Sequence, residues 1–175
     1  SFILYSINCI SQDKEIKAIY FNGISKSNES YLNLVFGLNT GENASEVDVD
    51  NAIKRLKSLD IFDDIEKELK DSIGGFCITL KCKEKGSIAP LISAGQIEDQ
   101  FWFQIGAENI NINGKSIKLG GYYQFFDDHS FKLFVDIPHI NGSYWGGGIS
   151  AQNLVSLEPV YFSNGPINYI YENHG

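Results

Sequence analysis

Residues 16–84 mix helical and strand-like spacing of apolar residues, and beyond them only the alternation of strands remains. Strict alternation means a sheet with one apolar face, which must be buried against a second layer or turned toward lipid. Composition changes at the same point. Residues 13–87 carry 14 acidic and 11 basic side chains, whereas residues 88–175 carry 8 and 3. The later part also holds 15 of the 23 aromatic residues and 11 of the 17 glycines. A boundary is therefore expected near Gly86-Ser87, between a mixed module and an all-β one.

The 175 residues suffice for one ordinary domain or two small ones, and an apolar content of 43% supports a core. A net charge of -8 with no basic stripe excludes nucleic acid as a natural partner, since phosphate binding needs clustered Lys and Arg. The chain contains no Met and opens with the apolar run Phe2 to Ile10, followed by Ser11-Gln12 and a charged stretch. Residues 1–12 are expected to be the remnant of a secretory signal peptide, a hydrophobic N-terminal strand being the other reading. No apolar stretch approaches the roughly 18 residues of a spanning helix, so any membrane insertion must use strands. Cys77 and Cys82 lie on opposite faces of one predicted strand, where they cannot bridge, and neither has partners at zinc-ligand spacing.

In the first module, Ile16 to Phe21 is β-branched and aromatic, and Asn22-Gly23 stops it. Ser30 to Leu38 is expected as a short helix, with Leu32, Val35 and Phe36 on one face and Gly37 and Gly41 closing it. Ser45 is the expected N-cap of a second helix, with Glu46 and Asp48 at its positive end. Val49, Ile53, Leu56 and Leu59 form its apolar stripe, and Lys54, Arg55 and Lys57 its solvent face. Ile61-Phe62 returns to the core. Ile65 and Leu69 then mark a half-exposed strand, Gly74-Gly75 a turn, and Phe76, Ile78, Leu80 and Cys82 the buried face of a further strand.

The order strand, helix, helix, strand, strand resembles a POTRA (polypeptide-transport-associated) domain. The likeness rests on Ile19-Tyr20-Phe21-Asn22-Gly23 and on Leu56-x-x-Leu59-Asp60-Ile61-Phe62-Asp63-Asp64-Ile65, and it assigns residues 13–86. Such domains usually carry Gly where Asp60 stands, at a left-handed helix end that Asp tolerates better than most residues.

In residues 87–175, Phe101, Phe103, Ile105 and Ala107 share one strand face, and Trp102, Gln104, Gly106 and Glu108 the other. Asn113-Gly114 and Asp127-Asp128 are expected turns. Between them Ile117, Leu119, Gly121, Tyr123 and Phe125 alternate with polar or small residues, and after them Phe131, Leu133, Val135 and Ile137 do the same. Pro138 to Ser143 reads as a loop, Tyr144 to Asn153 as a Gly-rich strand, and Leu154 to Phe162 and Ile167 to Tyr171 as continuing strands. Strands of about ten residues with this alternation match a transmembrane barrel, and a soluble antiparallel sandwich shows the same period. The stretches Phe103-Gln104-Ile105-Gly106, Asn111 to Lys115, Phe134 to Pro138 and Trp145 to Ile149 resemble the opening barrel strands of the BamA/TamA family. A single POTRA before such strands is most similar to the short members from Bacteroidetes-type bacteria. A closed barrel takes at least about 8 strands. The five or six legible here lead to the expectation of a truncated chain, an α+β POTRA domain followed by an incomplete outer-membrane β-barrel.

Chemistry-bearing residues are sparse. His129 and His139 lack a nucleophile or carboxylate at useful spacing, and Gly146-Gly147-Gly148 lacks the Lys-Ser/Thr of a phosphate loop. The acidic group Asp60, Asp63 and Asp64 reads as a helix end and turn. No catalytic residue, metal or cofactor is expected. The resemblance implies outer-membrane assembly or translocation, with the POTRA in the periplasm taking client or partner strands by β-augmentation. The partners so implied are unfolded outer-membrane or secreted polypeptides, assembly proteins and outer-membrane lipid. The expected accepting edge is Ile65, Glu66, Lys67, Glu68, Leu69 and Lys70, whose charges also guard it against aggregation. The first barrel strand, about Phe101 to Asn109, is implied to border a lateral seam through Phe101, Phe103, Ile105 and Ala107. Two other readings are a POTRA-barrel anchor of a patatin-like phospholipase and a soluble periplasmic β-sandwich.

Overall fold

The computed structural model describes residues 13–97, 100–125, 129–143, 145–162 and 165–175. The expected signal-peptide remnant, 1–12, and the Asp127-Asp128 turn lie outside them. Two units are distinct: one comprises the chain through Ser25 and Glu29–Glu84, the other Lys26–Asn28 and Lys85–Gly175.

The first unit runs β1 (Lys14–Asn22), α1 (Glu29–Phe36), β2 (Asn43–Ala44), α2 (Glu46–Lys57), β3 (Phe62–Ser72) and β4 (Gly75–Glu84). Its sheet order is β2-β1-β4-β3, with β1 parallel to β4 and the other pairs antiparallel. The two-residue β2, on Lys14 and Glu15, was not expected between the helices. It is too short to show any period, and its pairing partner is distant in sequence. The core joins Leu32, Val35 and Phe36 of α1 and Val49, Ala52, Ile53 and Leu56 of α2 to Ile16, Phe21, Ile65, Phe76, Ile78 and Leu80 of the sheet.

Local chemistry sets the ends of the helices. Ser45 caps α2 in a reciprocal box: its hydroxyl accepts from the Asp48 amide while Asp48 accepts from the Ser45 amide at 2.9 Å. After α2 the chain turns at Asp60, which holds φ +60°, the left-handed conformation expected there. Arg55 departs from the sequence reading. Rather than only facing solvent, its Nε donates to the Val35 carbonyl at 3.2 Å and its guanidinium donates to the Phe36 carbonyl. It thereby satisfies two carbonyls that the end of α1 leaves open.

The second unit is a six-stranded antiparallel meander in chain order. Its strands are β5 (Ile88–Ile97), β6 (Gln100–Ile112), β7 (Ile117–Phe125), β8 (His129–Ile137), β9 (Gly147–Phe162) and β10 (Gly165–His174). A short 3-10 turn at Ile140–Gly142 lies in the expected loop. Residues 147–162 form one strand, so there is no turn at Asn153-Leu154; the glycine-rich start and the apolar end had suggested two pieces.

Register places the faces. Ile92 lies opposite Ile105, Ile105 opposite Tyr123, and Tyr123 opposite Phe131, so they form one row across four strands. This face also carries Phe103, Leu119, Leu133 and Ile149, and it is open: Ile92 is 73% exposed, Leu133 59% and Ile149 75%. At one end of it Phe103 stacks on Phe125 at 4.4 Å, with Tyr123 and His129 grouped around Phe125. The opposite face carries Gln104, Glu108, Lys118, Gln124, Lys132 and Asp136.

On that polar face glycines sit across from large aromatics: Gly95 from Trp102, Gly106 from Tyr122 and Gly120 from Phe134. A Cβ at Gly120 would lie 2.6 Å from Phe134 Cζ and 2.6 Å from Glu108 Cβ. Gly120→Val is therefore expected to cost about 1–3 kcal/mol, although Val is the better strand former. At Gly147 nothing lies within 4 Å of an added Cβ, and Gly147→Val should cause no such loss. Urea midpoints of both variants in detergent micelles check this.

Candidate functional site

Backbone pairing defines the candidate site. β4 is paired on both sides, by β1 and β3, so β3 forms one edge of the first sheet, and among the described residues its outer amides and carbonyls have no strand partner. Ile65, Glu66, Lys67, Glu68, Leu69 and Lys70 all lie on this edge strand. Its hairpin to β4 closes through Ile73 and Gly74, with Gly74 at φ +77°.

The two faces of β3 differ. Ile65, Lys67 and Leu69 lie across from Cys82, Leu80 and Ile78 and share their helix-covered side; Glu66, Glu68 and Lys70 occupy the open side. Lys67 bridges to α2, with Nζ 2.8 Å from Glu46 Oε1 and 2.6 Å from Asp50 Oδ1. Burial alone would lower its pKa, but the bonds to Asp50 and Glu46 outweigh this and raise it. On the open side Glu68 is shared by Lys70 at 3.1 Å and Lys81 at 3.2 Å, and these hydrogen bonds hold its carboxyl below its usual range. The Ser45 bonds lower Asp48 in the same way.

A carboxyl whose pKa is lowered by folding gives stability that is full above its ordinary range and is lost as pH falls through its folded value. The first unit should therefore lose thermal stability as pH falls through and below the ordinary carboxylate range. Glu68→Gln and Asp48→Asn should each flatten that decline, as followed by circular dichroism.

The residues expected on the first barrel strand belong to the second strand of the meander. Phe101, Phe103, Ile105 and Ala107 lie on β6, which is paired on both sides, with β5 and with β7. The edge on that side of the sheet is β5. No strand is expected over Ile88–Ile97 from the sequence; Pro90 weakens strand propensity there, and an edge strand tolerates a residue without an amide hydrogen.

The remaining candidates have structural partners. His139 Nδ1 lies 2.7 Å from the Ser143 carbonyl, and His129 belongs to the aromatic group. Cys82 is buried with its thiol pushed up to about 11, and Cys77 is half-buried; both are free thiols. Among the described residues no three metal-ligating side chains come together.

No family model and no curated protein matches the chain by sequence. Solved structures match by fold. One is BamA from Haemophilus ducreyi lacking POTRA domains 1–3, with a TM-score of 0.61 and 18% identity, over 81% of this chain and 28% of that one. Another is CdiB from Acinetobacter baumannii, with a TM-score of 0.60 and 15% identity, over 91% of this chain and 32% of that one. The present chain thus spans about a third of the length of these structures. At such identity the likeness is one of fold.

Proposed function

We propose that this chain is part of an outer-membrane assembly or translocation protein of the BamA/TamA type. Its first unit acts as a POTRA domain in the periplasm, and the meander is the opening portion of a membrane-embedded barrel. The observation that carries this is the two-faced sheet, whose exposed face is a continuous apolar surface while the other is polar. In water such a face is a liability; in lipid it is the ordinary state of a barrel wall. The fold likeness to BamA and CdiB supports the same reading.

The work falls to main-chain groups. The edge of β3 offers amides and carbonyls to an extended client or partner segment, which adds as a further strand. Alternating charges on β3 keep that edge soluble between encounters. Nothing in this role calls for a catalytic side chain. At the meander's edge, β5 takes the place of β6 as the strand bordering a client-entry seam.

A photo-crosslinking residue placed at Glu66 in cells making the protein tests the role of the edge. Adducts with other polypeptides are expected from Glu66, and few from Thr79 on the interior strand β4. Equal yields from the two positions, or none from either, would refute β3 as the accepting edge.

A further inference from the structure

We propose that the edge of β3 prefers extended polypeptide segments with two adjacent basic residues, one seated on each side of the strand plane. This rests on β3 being a strand-accepting edge and goes further by naming the client chemistry. Most charges on and around β3 already have partners. Asp64 lies 3.5 Å from Lys57, Asp63 3.5 Å from Lys83, and Asp71 2.7 Å from Lys14. Glu68 has both Lys70 and Lys81.

Two consecutive positions are left short of positive charge. Glu66, exposed on the open side, has no basic group within 4.0 Å among the described residues, and Lys81 directly across from it reaches Glu68 instead. On the helix-covered side a single ammonium, Lys67, serves two carboxylates, Glu46 and Asp50, which are 61% and 48% exposed. One unmatched negative charge therefore stands on each side of the sheet, at residues 66 and 67.

An added strand places successive side chains on opposite faces, and cross-strand neighbours come within about 5 Å. A dipeptide of two basic residues set against Glu66-Lys67 reaches both charges at once. Two basic residues separated by one point to the same side and reach only one of them.

Fluorescence anisotropy with the full chain in detergent micelles tests this, using ten-residue strand-forming peptides. At low ionic strength a peptide with central Lys-Arg should bind about fivefold tighter than one with Gln-Gln, as two exposed cross-strand ion pairs allow. A Lys-Thr-Arg peptide of equal charge should lose about half of that advantage, and high salt should remove it. Glu66→Gln should reduce the preference, and Lys67→Met, which leaves Glu46 and Asp50 without their cation, should increase it. Equal binding of the Lys-Arg and Gln-Gln peptides, or of Lys-Arg and Lys-Thr-Arg, overturns the basic-pair preference and leaves the edge intact. No binding by any peptide, or undiminished binding by a backbone N-methylated Lys-Arg peptide, overturns strand addition itself.

Discussion

Phe36→Ala is expected to remove about 3–5 kcal/mol from the first unit, enough to leave a marginally stable domain largely unfolded at 37 °C. Phe36 is fully buried at the end of α1, where its ring meets Phe21 edge-on at 6.0 Å. Its carbonyl is also the one that the Arg55 guanidinium holds. Truncating the ring therefore opens a cavity where α1, α2 and β1 converge, and the capped helix end limits how far the site can collapse. Denaturant unfolding followed by far-ultraviolet circular dichroism measures the loss. A cost below about 1 kcal/mol would mean that α1 is not packed as described.

Leu133→Arg carries the next largest effect. Leu133 lies in the middle of β8 on the open apolar face. An arginine there should cost about 2–4 kcal/mol when the sheet folds into phospholipid vesicles, because a charge on the lipid face must leave water. Gln104→Arg lies on the polar face and should cost about 1 kcal/mol or less. Urea titrations in vesicles distinguish the two. Equal costs at the two positions would mean that the apolar face does not meet lipid, and would favour a soluble sandwich.

Much of the architecture was legible because it is local. Ser45, Glu46 and Asp48 announced the start of α2 through capping chemistry that acts within one turn. Alternation from Phe101 to Ala107 and from Phe131 to Ile137 gave the correct faces of β6 and β8, since side-chain direction along a strand has a period of two. The left-handed conformation of Asp60 was implied by the POTRA resemblance, which has Gly at that helix end.

What was missed has a physical reason in each case. β2 spans two residues and shows no period. β5 was hidden by Pro90, which weakens strand propensity without preventing a place at an edge. Arg55 sits among lysines on α2, and no sequence pattern shows that it reaches the carbonyls of α1, some twenty residues away.

The candidate site divides along the same line. The alternating residues Ile65 to Lys70, and the sidedness of their charges, are properties of one extended segment and were determined by the sequence alone. That β3 is left with a free edge depends on β1 crossing over to lie parallel to β4, which occupies the other side of β4. The same holds for the meander, where β5 rather than β6 is outermost. Strand order and the pairing of Lys67 with two carboxylates of α2 arise from contacts between residues far apart in the chain, and local propensity carries no record of them.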